Sequence, residues 1–304
     1  MPREPTTRSA TAMNAHASLA TEQVVGGTGG AVSRVRVLRS HAPLVLRPTL
    51  PKGREPLVQR MAGVARVSLA MGAAGPLGGD DFALDIHVGA GSTLVLNEIS
   101  ATLLLPGARG GRSRMRIAVT VDEDATFVWL PQPVIAAQGC DHVHEIDITL
   151  AADARLFMRD ELLLGRHREQ PGQLTQHLRV RRAGRSLFRQ TLALGGAARG
   201  WQSPAVLGSH KCVGSVLVVD PAWNERTPAK RVLGCDAALL SLEGPAVLVS
   251  ALADDTLTLR RQLEHGVSLL GAPWAPEAAP VASLEPVAAD PRRAAGASSV
   301  VAIA

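Results

Sequence analysis

The chain has 304 residues, 46% of them hydrophobic, so it can bury one or two substantial cores. Its net charge of +5 comes almost wholly from arginine, and only 3% of residues are aromatic, with no tyrosine. The aromatic stacking platforms of single-strand nucleic-acid binders are therefore not expected. The three cysteines are an odd number without close spacing, which argues against a disulfide framework.

Residues 1–30 are predicted to form a flexible leader, since they mix Pro, Thr, Ser and Ala and close with the glycines of 26–30. The segment lacks the apolar core of a signal peptide. Val32 stands where a dinucleotide fingerprint needs glycine, and there is no phosphate-binding Gly-x-x-x-x-Gly-Lys-Ser/Thr motif. No apolar run reaches the roughly 20 residues of a membrane span. These features predict a soluble cytoplasmic protein with neither nucleic acid nor membrane as partner.

The segment 75–81 joins a glycine turn to paired carboxylates directly before an alternating strand at 84–88. Turn chemistry alone explains Gly78, Gly79, Asp80 and Asp81, because glycine and aspartate both favour tight turns. The two carboxylates could also support acid-base chemistry or bind a hard cation. All three interpretations remain open from the residues alone.

Three copies of a strand-turn-strand pattern follow one another in the middle of the chain. Ile86, Val119 and Ile148 occupy matching positions, at offsets of 33 and 29 residues, and the second strands align Leu96, Trp129 and Met158. A weaker fourth copy is predicted at 178–188. Alternation of this kind buries one face of a strand, and such a repeat spacing indicates stacked units. We therefore predict an all-β domain over 31–272 with few helices, either β-helix-like or a layered β-sandwich.

Cys140, His142 and His144 are candidate metal ligands. Residues two apart in an extended strand project from one face, so all three could present soft or borderline donors together. The alternative is a strand end with solvated histidines and one packed thiol. Sequence closeness does not make Cys140 and His142 a catalytic pair, and no Gly-x-Ser-x-Gly elbow occurs, so no enzyme is predicted.

Glu161 follows an apolar strand and precedes Gly165 and Arg166. It could line a route for a divalent ion, since such a route needs oxygen ligands that release their cargo. On that interpretation, Glu161→Ala should reduce metal delivery and leave the fold intact. Alternatively, Glu161 is a structural carboxylate paired with Arg159, Arg166 or Arg168.

The C-terminal part of the chain is harder to interpret. Residues 236–252 are apolar and could be helix or strand. From residue 273 onward prolines recur among alanines, which predicts a flexible tail over 273–304. We expect removal of residues 1–28 and 275–304 to leave a folded protein.

Several motifs together resemble the UreD/UreH family of urease accessory proteins. They are the glycine-glycine-acid turn at 78–81, the sequence Trp-Leu-Pro-Gln-Pro at 129–133, and Glu161 with Gly165-Arg166, in the family's order and spacing. The resemblance runs from about residue 34 to 270 and implies a largely β fold with a β-helix-like arrangement. Two departures stand out: Leu103-Leu104 replaces a basic-aromatic pair, and Pro133 replaces a frequent glutamate.

The resemblance implies a chaperone of metallocentre assembly that docks on apo-urease and on UreF. UreF in turn recruits the GTPase UreG, so that nickel passes as transient cargo and no cofactor is tightly bound. The implied nickel-path residues are Asp80, Asp81, Cys140, His142, His144 and Glu161, and the implied partner or channel positions are Gly78, Gly79, Ser100, Thr102, Gln132 and Arg166. Two alternatives remain: an adaptor that never touches metal, and a β-repeat binding module unrelated to urease.

Overall fold

The computed structural model describes residues 12–27, 29–51, 55–58 and 63–275. Strands dominate them. In chain order the elements are β1 (Asn14–Val25), β2 (Ala31–Arg39), β3 (Leu44–Pro48), β4 (Ala65–Met71), β5 (Asp81–Val88), β6 (Thr93–Glu98), β7 (Thr102–Leu104), β8 (Ser113–Val121), β9 (Thr126–Leu130), β10 (Val134–Ala136), β11 (Asp141–Leu150), β12 (Arg155–Leu164), β13 (Gln173–Arg182), β14 (Arg185–Leu194), β15 (Cys212–Val219), a 3-10 turn (Pro221–Trp223), β16 (Arg231–Val232), β17 (Ala237–Ser241), β18 (Ala246–Ala253) and α1 (Thr256–Ser268).

Two large sheets are built from successive passes of the chain. Sheet A has the order β14-β13-β11-β8-β5-β1-β2, with parallel pairing from β1 through β13 and antiparallel strands at both ends. Sheet B has the order β16-β17-β18-β15-β12-β9-β6-β4-β3, and its β4, β6, β9 and β12 are parallel. The short strand β10 pairs with the end of β12 on one side and with the short strand β7 on the other. The result is a β-solenoid of about four turns.

The register of the sheets confirms the sequence repeat. Ile86 pairs with Val119, which pairs with Ile148. On sheet B, Trp129 pairs with both Leu96 and Met158. The prediction of a mainly β, β-helix-like fold is confirmed, and the ambiguous segment 236–252 forms β17 and all but the last residue of β18.

The predicted fourth repeat is confirmed for its first strand and wrong for its second. Val180 continues the register of Ile148 on sheet A, but the following strand β14 folds back on β13 instead of joining sheet B. The cause is the connection through Ala183 and Gly184, whose φ angles are 48° and 75°. Two residues with positive φ give the tight turn that joins antiparallel strands, so the chain makes a hairpin there.

The predicted flexible leader is wrong for residues 14–25, which form β1 between β5 and β2. Ala15, Ala17 and Leu19 are buried in the core between the two sheets. Their small size and polar neighbours gave the segment a loop-like composition, although the alternation of a strand is present. Residues 1–11 and 28 lie outside the described part of the chain.

The start of the predicted tail is also wrong, because Trp274 is fully buried. Its indole N–H donates to Asp220 Oδ2 at 2.7 Å, and its ring stacks on Phe157 with the ring centres 6.2 Å apart. It belongs to an outer core between sheet B and α1, in which Leu259 and Leu263 are also buried. Residues 276–304 lie outside the described part of the chain.

Helix α1 begins where Asp255 accepts a hydrogen bond from the Thr258 N–H at 2.8 Å, an N-cap that satisfies a free backbone donor. Within the described residues, no helix is long and apolar enough to cross a membrane.

Candidate functional site

The interior of the solenoid is layered, because side chains at paired positions of stacked strands lie next to one another. The layer of Ile86, Val119, Ile148 and Val180 is apolar. Four positions earlier on each sheet A strand, the equivalent layer is Phe82, Met115, His144 and Gln176. The interior thus changes from apolar to polar toward one end of the strands.

Sheet B supplies two carboxylates to the same end. Glu98 lies two residues after Leu96 on β6, and Asp160 lies two residues after Met158 on β12, so both continue the inward-facing positions of their strands. We call Glu98, His142, His144 and Asp160 the interior polar cluster. All four line one cavity inside the solenoid.

The cavity has a volume of about 30 Å³, enough for about one or two water molecules. It is too small for an organic substrate. Its walls are Leu69, Met71, Pro76, Phe82, Glu98, Thr102, Met115, Ile117, Trp129, Pro131, Gln132, Val134, His142, His144, Ile146, Met158 and Asp160.

The two carboxylates of the cluster hold their protons more tightly than exposed ones. Burial, with a smaller contribution from the Asp160 charge, raises the pKa of Glu98 to about 8, although the hydrogen bond that the Gln132 N–H donates to Glu98 Oε2 at 3.3 Å opposes this shift. Burial also raises the pKa of Asp160 to about 6. Near neutral pH, Glu98 is therefore mainly protonated and Asp160 mainly ionised.

The two histidines of the cluster are neutral. Burial lowers the pKa of His142 to about 3 and that of His144 to about 4. The Nδ1 of His142 lies 2.8 Å from the Ser113 hydroxyl oxygen. The Nε2 atoms of both rings are buried without a hydrogen-bond partner among the described residues. A neutral imidazole with a free nitrogen is the form that binds a metal ion.

In the described part of the chain, no three His, Cys, Asp or Glu side chains come together in a group that could hold a metal ion. The donors of the interior polar cluster are spread around the cavity wall.

Glu161 lies on the opposite side of β12 from this cavity. Its carboxylate receives two hydrogen bonds from Arg260 of α1, at 3.0 and 2.6 Å, and lies 3.2 Å from Arg159 Nε. The expectation of an arginine partner is right for Arg159, whereas Arg166 pairs instead with Glu169 at 2.7 Å. Arg168 is exposed in the following loop. The position of Glu161 argues for a structural role, with Arg260 as the partner that the sequence did not suggest.

The glycine-aspartate turn has a mainly structural geometry. Asp80 is buried and accepts hydrogen bonds from the N–H groups of Met13 and Leu77, both at 2.8 Å. A Cβ on Gly78 would lie 2.7 Å from the backbone of Gly107, so only glycine permits this close approach. Gly79 has a φ of 97°, which also favours glycine.

The carboxylate of Asp81 points to the outer face of sheet A, where it lies 3.0 Å from Arg116. It is therefore separated from the interior polar cluster.

The Cys140-His142-His144 set is divided by the fold. The two histidines face the cavity, but Cys140 packs in a separate apolar cluster with Leu104, Leu164 and others, and its thiol lies 3.8 Å from the Gln173 carbonyl oxygen. Burial raises the pKa of the Cys140 thiol to about 11, so it is protonated. The expected alternative of solvated histidines is wrong, because both rings are buried.

The remaining predicted positions fall into two groups. Thr102 and Gln132 line the cavity with the two histidines. Ser100 and Arg166 lie on the exposed surface, away from it. Sequence reasoning missed Glu98 and Asp160, although the repeat alignment contained the signal: both lie two residues beyond aligned inward positions.

Comparison with known proteins gives a consistent result. The family profile described as "UreD urease accessory protein" matches residues 13–285. The "Urease accessory protein UreD" of Streptomyces coelicolor is 42% identical over 245 residues, which cover 80% of this chain and 92% of the relative. "Urease accessory protein UreD 2" of Saccharopolyspora erythraea is 40% identical, over 82% of this chain and 86% of its own. The "Urease accessory protein UreD" of Frankia alni is 42% identical over 278 residues, which cover 83% of this chain and 92% of the relative.

Proposed function

The chain belongs to the UreD family of urease accessory proteins, and from this premise we propose that it assists nickel insertion into urease in the cytoplasm. In this proposal it docks on apo-urease and on UreF, which brings the GTPase UreG. The family consists of accessory proteins and not of enzymes. Nickel is cargo that passes along the chain.

The observation that supports a direct role in nickel passage is the interior polar cluster. Neutral imidazoles and carboxylates are ligands of the kind that divalent nickel accepts. A route requires binding that is favourable enough for entry yet weak enough for release, so donors spread along a wall suit it better than a closed site. Of the residues first predicted for this path, His142 and His144 stay in the proposal, joined by Glu98 and Asp160.

The rival function is an adaptor that joins the same partners without touching metal. The two functions differ in what happens when the interior carboxylates can no longer ionise but keep their shape. Glu98→Gln with Asp160→Asn removes the negative charge of Asp160 and prevents Glu98 from giving up its proton to a metal ion, and it leaves the cavity volume almost unchanged.

The test is co-expression of this double variant with the urease subunits, UreF and UreG. If nickel passes through the cavity, the accessory complex should form as in the parent, and the nickel content of purified urease should fall by about tenfold, a loss typical of altered metal surroundings. Complex formation is measured by size exclusion and nickel by elemental analysis. Glu225→Gln, at an exposed position, is the matched control. Full nickel loading with the double variant would favour the adaptor function.

A further inference from the structure

The outer face of sheet A alternates in charge from strand to strand. From β5 to β13, the outward-facing charged residues are Asp81 and Asp85 on β5, Arg114 and Arg116 on β8, Asp141, Glu145 and Asp147 on β11, and Arg179 and Arg181 on β13. From β5 to β13, an acidic strand therefore neighbours a basic one at each step.

Ion pairs join these strands. Arg116 lies 3.0 Å from Asp81, and Arg114 lies 3.7 Å from Glu145. Arg179 lies 3.0 Å from Asp147. Opposite charges on neighbouring strands stabilise a sheet, and like charges directly opposite destabilise it. The alternation thus matches each strand to its neighbour.

Strand β14 breaks this rule. Arg189 lies directly opposite Arg179, and Arg185 lies opposite Arg182. The segment 179–189 contains five arginines and no acidic residue. Arg185 and Arg189 are exposed, and no acidic side chain of the described residues forms an ion pair with either. The positive charge of β14 is therefore not balanced by acidic side chains on β13, the only described strand that pairs with it.

The other side of β14 is an edge. β14 ends sheet A, and no described strand pairs with its outer side. An edge strand presents free backbone N–H and C=O groups that can accept a further strand. An acidic strand added there would continue the charge alternation of the sheet.

We propose that the β14 edge binds an extended, acidic segment of a partner protein by strand addition. Backbone hydrogen bonds along the edge would supply affinity, and Arg185 and Arg189 would select carboxylates, which the planar guanidinium group can bind in bidentate fashion. A nucleic acid suits the edge less well, because the aromatic ring of this hairpin, Phe188, is half-buried against the core and not free to stack on bases.

The test uses the full chain and a labelled peptide of alternating threonine and glutamate, about as long as β14. The same peptide with lysine in place of glutamate is the control ligand. Fluorescence anisotropy should show binding of the acidic peptide only, weakened by added salt because exposed charges are screened. Arg185→Glu with Arg189→Glu should raise Kd about tenfold or more, while Arg231→Glu on exposed β16 should change it less than about twofold.

Three results would overturn the proposal: no binding of the acidic peptide, equal binding by the double variant and the parent, or tighter binding of single-stranded oligonucleotide than of the peptide. Thermal melts of both variants verify that the fold is intact. The peptide assay contains no nickel, so its outcome is independent of whether the interior cavity carries metal.

Discussion

At the scale of single residues, Glu161 shows how a sequence motif and a structural position can differ. The carboxylate is almost fully buried, and two arginines from different elements, Arg159 and Arg260, surround it. This arrangement ties α1 to sheet B. The motif spacing that suggested an ion route is equally well explained by the need to hold the helix in place.

We therefore expect Glu161→Ala to destabilise the protein by about 3–5 kcal/mol, because it leaves buried positive charge without a partner. Urea denaturation of the variant measures this loss of stability. The control is Glu225→Ala, which removes the carboxylate of an exposed glutamate. An unchanged unfolding midpoint, together with nickel-poor urease, would instead restore Glu161 to the nickel route.

At the scale of elements, β1 is the strand whose loss should matter most. It pairs with β5 over residues 14–21 and with β2 over residues 18–25, and its buried residues complete the interior core. A deletion of residues 1–28 would expose the edge of β5 and open that core, contrary to the expectation drawn from composition.

We predict that the 1–28 deletion yields insoluble or unfolded protein, whereas deletion of residues 1–11, which keeps β1 whole, yields a folded one. Soluble yield and circular dichroism compare the two. A cooperative melt near that of the parent for the longer deletion would show that β1 contributes little to folding.

Most elements of the solenoid could be predicted because the local signal agrees with the tertiary role. The alternation at 84–88, 117–121 and 146–150 is strong, since large apolar residues face the core. β1 was missed because its inward positions are mostly alanines, which look the same in a loop. The hairpin at 183–184 was missed because Ala-Gly is a weak turn signal.

The cavity could be predicted only in part. His142 and His144 were found because their ring chemistry is distinctive, but Glu98 lies at the end of an apolar strand where a carboxylate usually reaches solvent. The repeat alignment places Glu98 two residues beyond the inward-facing Leu96, but only the structure shows that the solenoid is still closed at that level, so that the side chain lines a cavity.

At the scale of the whole molecule, the solenoid interior holds titratable groups with opposite responses to pH. Glu98 holds its proton up to a pKa of about 8 instead of its ordinary 4.5. His142 and His144 lose theirs at about 3 and about 4 instead of 6.5. Below pH 6.5 unfolding takes up protons at the histidines, so these groups make the fold less stable as the pH falls. Above pH 4.5 unfolding releases a proton from Glu98, so this group makes the fold less stable as the pH rises.

Substitution of Glu98 separates the acidic member of this set from the histidines. Between pH 4.5 and 8 the folded state binds a proton at Glu98 that the unfolded state releases, so Glu98 makes the parent less stable as pH rises through this range. Glu98→Gln cannot ionise, and its stability relative to the parent should therefore grow steadily from pH 5 to pH 8. Urea unfolding at several pH values, with Glu225→Gln as control, measures the difference. If the stability difference between variant and parent did not change with pH, Glu98 would ionise as freely in the folded chain as in the unfolded one. The desolvated environment assigned to the cavity would then be wrong.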